Sequence, residues 1–296
     1  MAIGRGNFGD TLFPGLRKIF GLSYRERAAE YSRIFQVENS QKYREDLLSV
    51  GGFGLAPEMD SGDSVTYMEA KQNWVHSTIH TKYGAGFIVE NDLYDDEMYG
   101  TIRALPAALA QSMRATVETV DASYLNNGFA SSTAGDGVLL FSASHLLGEG
   151  GTFRNMPSVS ADLDATSLEQ ALLDIGGWVN DAGLQMDARP KMLVVSKENE
   201  WNCVRLFGTA QDVGTAYNDK NPAYNLMPWM VCHYLTDTDA WFIVTDVPNG
   251  LVHYWRRKPD FTKDNDFDTE NAKYKSIMRF SRTCHDPRGV YGNAGA

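Results

Sequence analysis

Three acidic side chains alternate in Asp264-Asn265-Asp266-Phe267-Asp268, the spacing with which a calcium loop opens. Such a loop needs glycine at its sixth position and a bidentate glutamate at its twelfth. Thr269 and Lys275 stand there instead, so the run reads as a solvated acidic turn. His76 and His80 are four apart, but their surroundings are strand-like. Four apart still places them on one face of a strand, and no third ligand accompanies them. Ser144-His145 lies in a glycine-rich loop, and adjacency in sequence is not the spatial arrangement a nucleophile needs. The glycine groups at 51–54 and 84–87 lack the strand–loop–helix setting of a phosphate cradle. Cys203, Cys232 and Cys284 match no zinc spacing and read as reduced, buried thiols. No catalytic residue, metal or cofactor is assigned. A hydrolase holding a metal on Asp264, Asp266 and Asp268 with a histidine is the alternative from another class.

The elements around these residues suggest a scaffold with long extensions. Residues 1–22 hold five glycines and a proline among scattered apolar residues, which predicts an extended arm. Tyr24, Ala28, Tyr31 and Phe35 fall at helical spacing after Ser23, which predicts a helix within 23–50. From 64 to 90 the text is rich in Thr, Val, Tyr and Ile, which suits strands. Val75, Ser77, Ile79, Thr81 and Tyr83 alternate with His76, Thr78, His80 and Lys82, and neither face is strongly apolar. An isolated two-stranded ribbon is marginal in water, so this one needs a surface, and another subunit is a candidate to supply it. Met98, Ile102, Leu105, Leu109, Met113, Val117, Val120 and Tyr124 form one helical stripe over 91–128, interrupted by Pro106 and stopped by Gly128. Compact α/β text follows. A capping box at Thr166/Glu169 opens a helix, 191–196 is a buried strand, and Ser196 caps a second helix. The segments 227–235, 240–246 and 251–257 then read as strands, and 274–282 as another.

Charge divides the chain unevenly. The net formal charge is -11, which argues against a protein whose whole surface wraps nucleic acid. Residues 1–44 nevertheless carry eight Lys/Arg against four Asp/Glu, and residues 45–128 carry four against thirteen. Arg5, Arg17, Lys18, Arg25 and Arg27 make the first segment a basic arm on an acidic body. No apolar run approaches membrane-spanning length, and the N-terminus lacks a signal-peptide core.

Blocks of the second half resemble the major capsid proteins of tailed bacteriophages, in particular the major head subunit group of Mu-like phages. They are FSASHLLGEGG (141–151), SLEQALLDIGGWVNDAG (167–183), PKMLVVS (190–196), GTAYNDKN (214–221), YLTDTDAWFIVTD (234–246) and the run from Pro259 to Gly292. The resemblance implies an α+β tailed-phage major capsid fold in five parts. These are an N-terminal arm and helix (1–52), an extended β-hairpin loop (53–90), a spine helix with its connecting segment (91–159), an axial domain (160–250) and C-terminal strands of a peripheral domain (251–296). It implies hexamers and pentamers of a closed icosahedral shell around double-stranded DNA, built in the bacterial host cytoplasm. A separate scaffolding protein, a portal and decoration proteins are the implied partners, with no membrane. Lys71, Trp74, Lys82 and Tyr83 become candidates for contact between subunits. Some members join a lysine to an asparagine of a neighbour, and Lys71 or Lys82 with Asn265 or Asn271 occupy the matching regions; solvated side chains are the alternative. The basic arm faces either the DNA, non-specifically, or acidic groups of adjacent subunits near Asp92–Glu97. A nanocompartment shell of the same fold, enclosing protein cargo, is the alternative within shell proteins.

Overall fold

The computed structural model describes residues 8–69, 72–90, 99–148, 150–211, 220–265 and 271–296. The chain enters through helix α1 (Phe8–Arg25) and a single turn, α2 (Tyr31–Ile34). Strands β1 (Gln36–Asn39), β2 (Arg44–Val50), β3 (Gln72–Ile79) and β4 (Thr81–Val89) follow. Helix α3 (Tyr99–Asn126) leads to the short pair β5 (His145–Leu146) and β6 (Thr152–Phe153). Then come α4 (Ala165–Gly176), β7 (Pro190–Val195), α5 (Glu200–Gly208), β8 (Trp229–Val231) and β9 (Trp241–Thr245). Two long strands, β10 (Leu251–Asn265) and β11 (Ala272–Cys284), precede β12 (Val290–Asn293).

Helix α3 buries the stripe its sequence predicts: Ile102, Leu109, Met113, Val117 and Tyr124 are all buried. Pro106 lies inside the helix without ending it, because apolar burial on both sides of it outweighs one missing hydrogen bond. The predicted extended arm is corrected. Residues 8–25 are helical because Phe13, Leu16, Phe20 and Tyr24 recur every three or four positions and pack on α3, β10 and β11. Phe20 stacks on Phe261 at 5.2 Å. That burial overrides the poor helix propensity of the glycines.

The predicted helix over 23–50 is also corrected. The α3 side chains capture this segment as a turn. The Glu118 carboxylate accepts from the backbone N–H groups of Glu30 (3.0 Å) and Tyr31 (2.9 Å), and Arg114 donates to the carbonyls of Arg27 and Ala28. Tyr31 and Phe35 still face the core, at the two ends of the single turn α2.

Two four-stranded sheets carry the fold among the described residues. One has the order β1-β10-β11-β4, and the other β12-β9-β7-β8. The second sheet holds α4 and α5 over a core of Leu168, Ile175, Cys203, Phe207, Trp241 and Tyr291. The N-cap of α4 is Asp164, with Ser167 completing the capping box, so this helix opens two residues before the predicted Thr166. The C-terminal stretch is corrected too: β10 and β11 stay together, but β12 returns to pair with β9. Gly250 and Gly289 permit the return by passing backbone to backbone, since a Cβ on Gly250 would lie 2.7 Å from the Cα of Gly289. No helix among the described residues is long and apolar enough to cross a membrane.

Removing the buried Glu118 carboxylate strands two partly buried backbone donors. Glu118→Ala is expected to lower unfolding free energy by about 2–4 kcal/mol, read from chemical denaturation. Arg103→Ala on the exposed face of α3 is expected to stay within ~0.5 kcal/mol. A loss as small for Glu118→Ala contradicts this account of the turn.

Candidate functional site: the extended hairpin and its seat

The hairpin expected within 53–90 is built from other strands. β3 pairs with β2, from Arg44↔Ile79 to Val50↔Gln72, and not with β4. β4 is instead an edge strand of the first sheet, in register with β11 from Val89↔Ala272 to Thr81↔Phe280. The projecting ribbon therefore runs from 44 to 79, and nearly every described residue from Gly52 to Glu69 is exposed.

The two faces of the ribbon differ sharply. Asn73, Trp74, His76 and Thr78 face the body of their own chain. Asn73 Nδ2 donates to Asp181 Oδ2 at 2.6 Å, and Asp181 in turn accepts from the buried Arg288 at 2.5 Å. Arg288 is held further by Asp286 and lies over the Phe153 ring at 4.7 Å. Trp74 packs at Gly135, where an added Cβ would come within 3.1 Å of its indole nitrogen and collide with the His285 carbonyl. His76 Nε2 and Thr283 Oγ1 are 2.8 Å apart. Just past the ribbon, His80 bridges Ser281 (2.9 Å) and Ser40 (3.0 Å). The expectation that the ribbon finds its surface on another subunit is thus corrected for this face. The opposite face carries Leu48, Val50, Val75 and Ile79, each between 47% and 57% exposed. The partner strand adds apolar side chains that were not visible from 64–90 alone: Leu48 stands directly across from Val75, while Asp46 with Ser77 and Arg44 with Ile79 keep the rest of this face mixed.

Among the described residues, the chemistry-bearing side chains singled out from sequence lie apart from one another. His145 is buried between Asp136 (2.8 Å) and Asn155 (3.0 Å), and Ser144 does not reach it. The three cysteines are free and buried, and burial pushes the Cys203 and Cys232 thiols up to about 12. No metal-holding group of His, Cys, Asp and Glu occurs among the described residues. Asp266 and Asp268 lie outside the described residues.

A family model described as phage capsid protein matches residues 78–293, from the end of β3 through β12. The chain belongs to the phage capsid protein family. Its fold is that of tailed-phage capsid subunits. The chain is similar to the subunit in the procapsid of bacteriophage JBD30, with 13% identity, a TM-score of 0.54 and coverage of 97% of this chain and 75% of that one. It is similar to the capsid subunit of cyanophage P-SCSP1u, with 11% identity, a TM-score of 0.56 and coverage of 91% and 89%. A virus-like particle from Pyrococcus furiosus shares the fold at 9% identity and a TM-score of 0.53, over 95% and 98% of the two chains. No curated protein sequence matches.

On this capsid fold the predicted contact residues scatter. Trp74 is on the inward face of the ribbon, while Lys82 is exposed on β4 and Tyr83 stacks on Phe280 at 4.9 Å. Lys71 lies outside the described residues. In the basic arm, Arg17 is 3.7 Å from Asp260, Lys18 is exposed, and Arg25 bonds the Gly21 carbonyl of its own helix. Arg27 is exposed and Arg5 lies outside the described residues, as do Asp92 and Glu97. Asn73, Asp181, Ser281, Thr283 and His285 were not singled out from sequence. Only the shared face of His76 and His80 hinted at the seat, because the remaining partners are more than 100 positions away.

Proposed function

We propose that this chain is the major subunit of an icosahedral phage head, assembling as hexamers and pentamers around double-stranded DNA. The observation that carries the reading is the outward face of the ribbon. Leu48, Val50 and Val75, with Ile79 beyond the hydrogen-bonded Asp46–Ser77 pair, are half-exposed apolar side chains on that face. Burying it against a second copy yields about 25 cal/mol per Å² of apolar surface, and repetition around a capsomer multiplies that gain. The family match favours a genome-enclosing shell over one that encloses protein cargo.

In this reading 160–250, completed by β12, is the axial domain. The sheet of β1, β10, β11 and β4, with α3 across it, is the peripheral domain. Lys82, exposed on edge strand β4, is a contact available to a neighbour. A separate scaffolding protein, a portal and decoration proteins complete the partners, with assembly in the bacterial host cytoplasm. Arg17, Lys18 and Arg25, carried on the exposed side of α1, face the lumen and touch DNA through phosphate charge, without reading bases.

Two measurements check this. Leu48→Lys combined with Val75→Glu places opposite charges across the strands, which preserves pairing while removing the apolar strip. The melting transition of the subunit is expected to shift by no more than ~0.5 kcal/mol, and shells are expected to be absent in electron micrographs. Normal shells from this variant contradict the reading. For the arm, charge reversal at Arg17, Lys18 and Arg25 is expected to give shells that retain less DNA. Shells filled to the normal level place the arm away from the lumen.

A further inference from the structure

The ribbon is seated through three histidines, and at two of them, His80 and His285, a second proton has no ready acceptor. His285 is buried, with Nε2 3.0 Å from the Tyr254 hydroxyl and Nδ1 without a partner among the described residues. Its ring lies edge-on to His76, with centroids 5.6 Å apart. His76 itself is tied to Thr283 on β11. At His80 the tautomer follows from the chain of donors. The Ser40 hydroxyl donates to Glu45 at 2.5 Å, so Ser40 Oγ accepts from His80 Nε2. His80 Nδ1 is then the acceptor for Ser281. Neutral His80 finds a partner at both ring nitrogens, and neutral His285 at one. A proton added to His285 points at no acceptor, and one added to His80 faces a hydroxyl that must turn away.

We propose that His76, His80 and His285 form a proton-operated latch that holds the 44–79 ribbon on β11 when neutral and releases it when charged. Protonated His76 and His285 would face each other as like charges inside the seat. The charged neighbours do not cancel this. Asp136 faces His76 but is already bonded to His145, and Glu45, bonded to Ser40 and Lys42, favours a charge on His80 and His285 only from a distance. Arg279 from β11 and Arg256 from β10 both oppose a charge on His80. Burial, with His76 beside it, pushes His285 down to about 4 from its ordinary 6.5, and burial lowers His76 and His80 as well. Tyr254 stays protonated, pushed up to about 12 by burial.

The sign follows from linkage. A histidine depressed in the seated state binds its proton more readily when released, so seating is strongest above 6.5 and weakens as pH falls toward about 4. At pH 5 a full return of His285 to its ordinary value on release shifts the seated-to-released ratio by at most about 30-fold. A released two-stranded ribbon is marginal in water, so its amides should exchange. The latch is a property of the single chain and stands or falls independently of what the shell encloses.

The test is hydrogen exchange on the full chain at pH 7.5 and 5.0, corrected for intrinsic exchange rates. Protection of amides 72–79 is expected to fall several-fold, up to about 30-fold, at pH 5.0, while amides 241–245 in the second sheet keep theirs. The His76→Gln/His285→Gln variant is expected to lose most of that pH dependence. If the buried substitution prevents folding, His76→Gln alone removes one of the two like charges and is expected to reduce it. Unchanged protection of 72–79 in the natural chain overturns the latch. So does a parallel loss at 241–245, or a loss as steep in the variants.

Discussion

Strand β11 is the constraint on which the rest of the architecture hangs. It pairs with β10 on one edge and β4 on the other, and its core-facing side chains Tyr274, Met278 and Phe280 meet the underside of α1 and α3. At its far end the alternation of a strand presents Ser281 and Thr283 on one face, two residues apart. His80 and His76 sit on these two hydroxyls. The position of the projecting ribbon is therefore inherited from one strand, which is itself fixed from both sides and from below.

The same geometry divides the labour between the faces of the ribbon. The inward face is fastened by hydrogen bonds, each contributing about 0.5–1.5 kcal/mol net. These fix an orientation without building a deep core. The outward face presents Leu48, Val50, Val75 and Ile79, whose stabilising power is realised only when something covers them. A subunit arranged this way is folded without its neighbours yet gains by finding them. That is the physical requirement on a shell protein made in many copies.

How much of this was legible in sequence depended on the range of the interactions. The α3 stripe and the buried strand β7 were readable because their signals are local and periodic. The α/β body was readable for the same reason, while the resemblance to phage capsid subunits rested on the blocks of residues 141–292 and their order. The N-terminal helix was hidden by its glycines and Pro14, since only the aromatic partner Phe261, far along the chain, reveals what Phe13 and Phe20 pack against. The alternation of Val75, Ser77 and Ile79 was correct, but its meaning was not. The partner strand 44–50 carries an acidic, mixed pattern that gives no strand signal alone, and the seat at Ser281 and Thr283 lies about 200 positions away. The return of β12 to the second sheet depends on a glycine contact that no periodicity encodes.

The most direct test of the central claim is a high-resolution reconstruction of the assembled particle, examined at the 44–79 ribbon. The account predicts that Leu48, Val75 and Ile79 are buried against a neighbouring copy while Asn73, Trp74 and His76 remain on the same chain's own body. A particle in which that outer strip stays open to solvent, or in which the inward face rests on a neighbour, would contradict it.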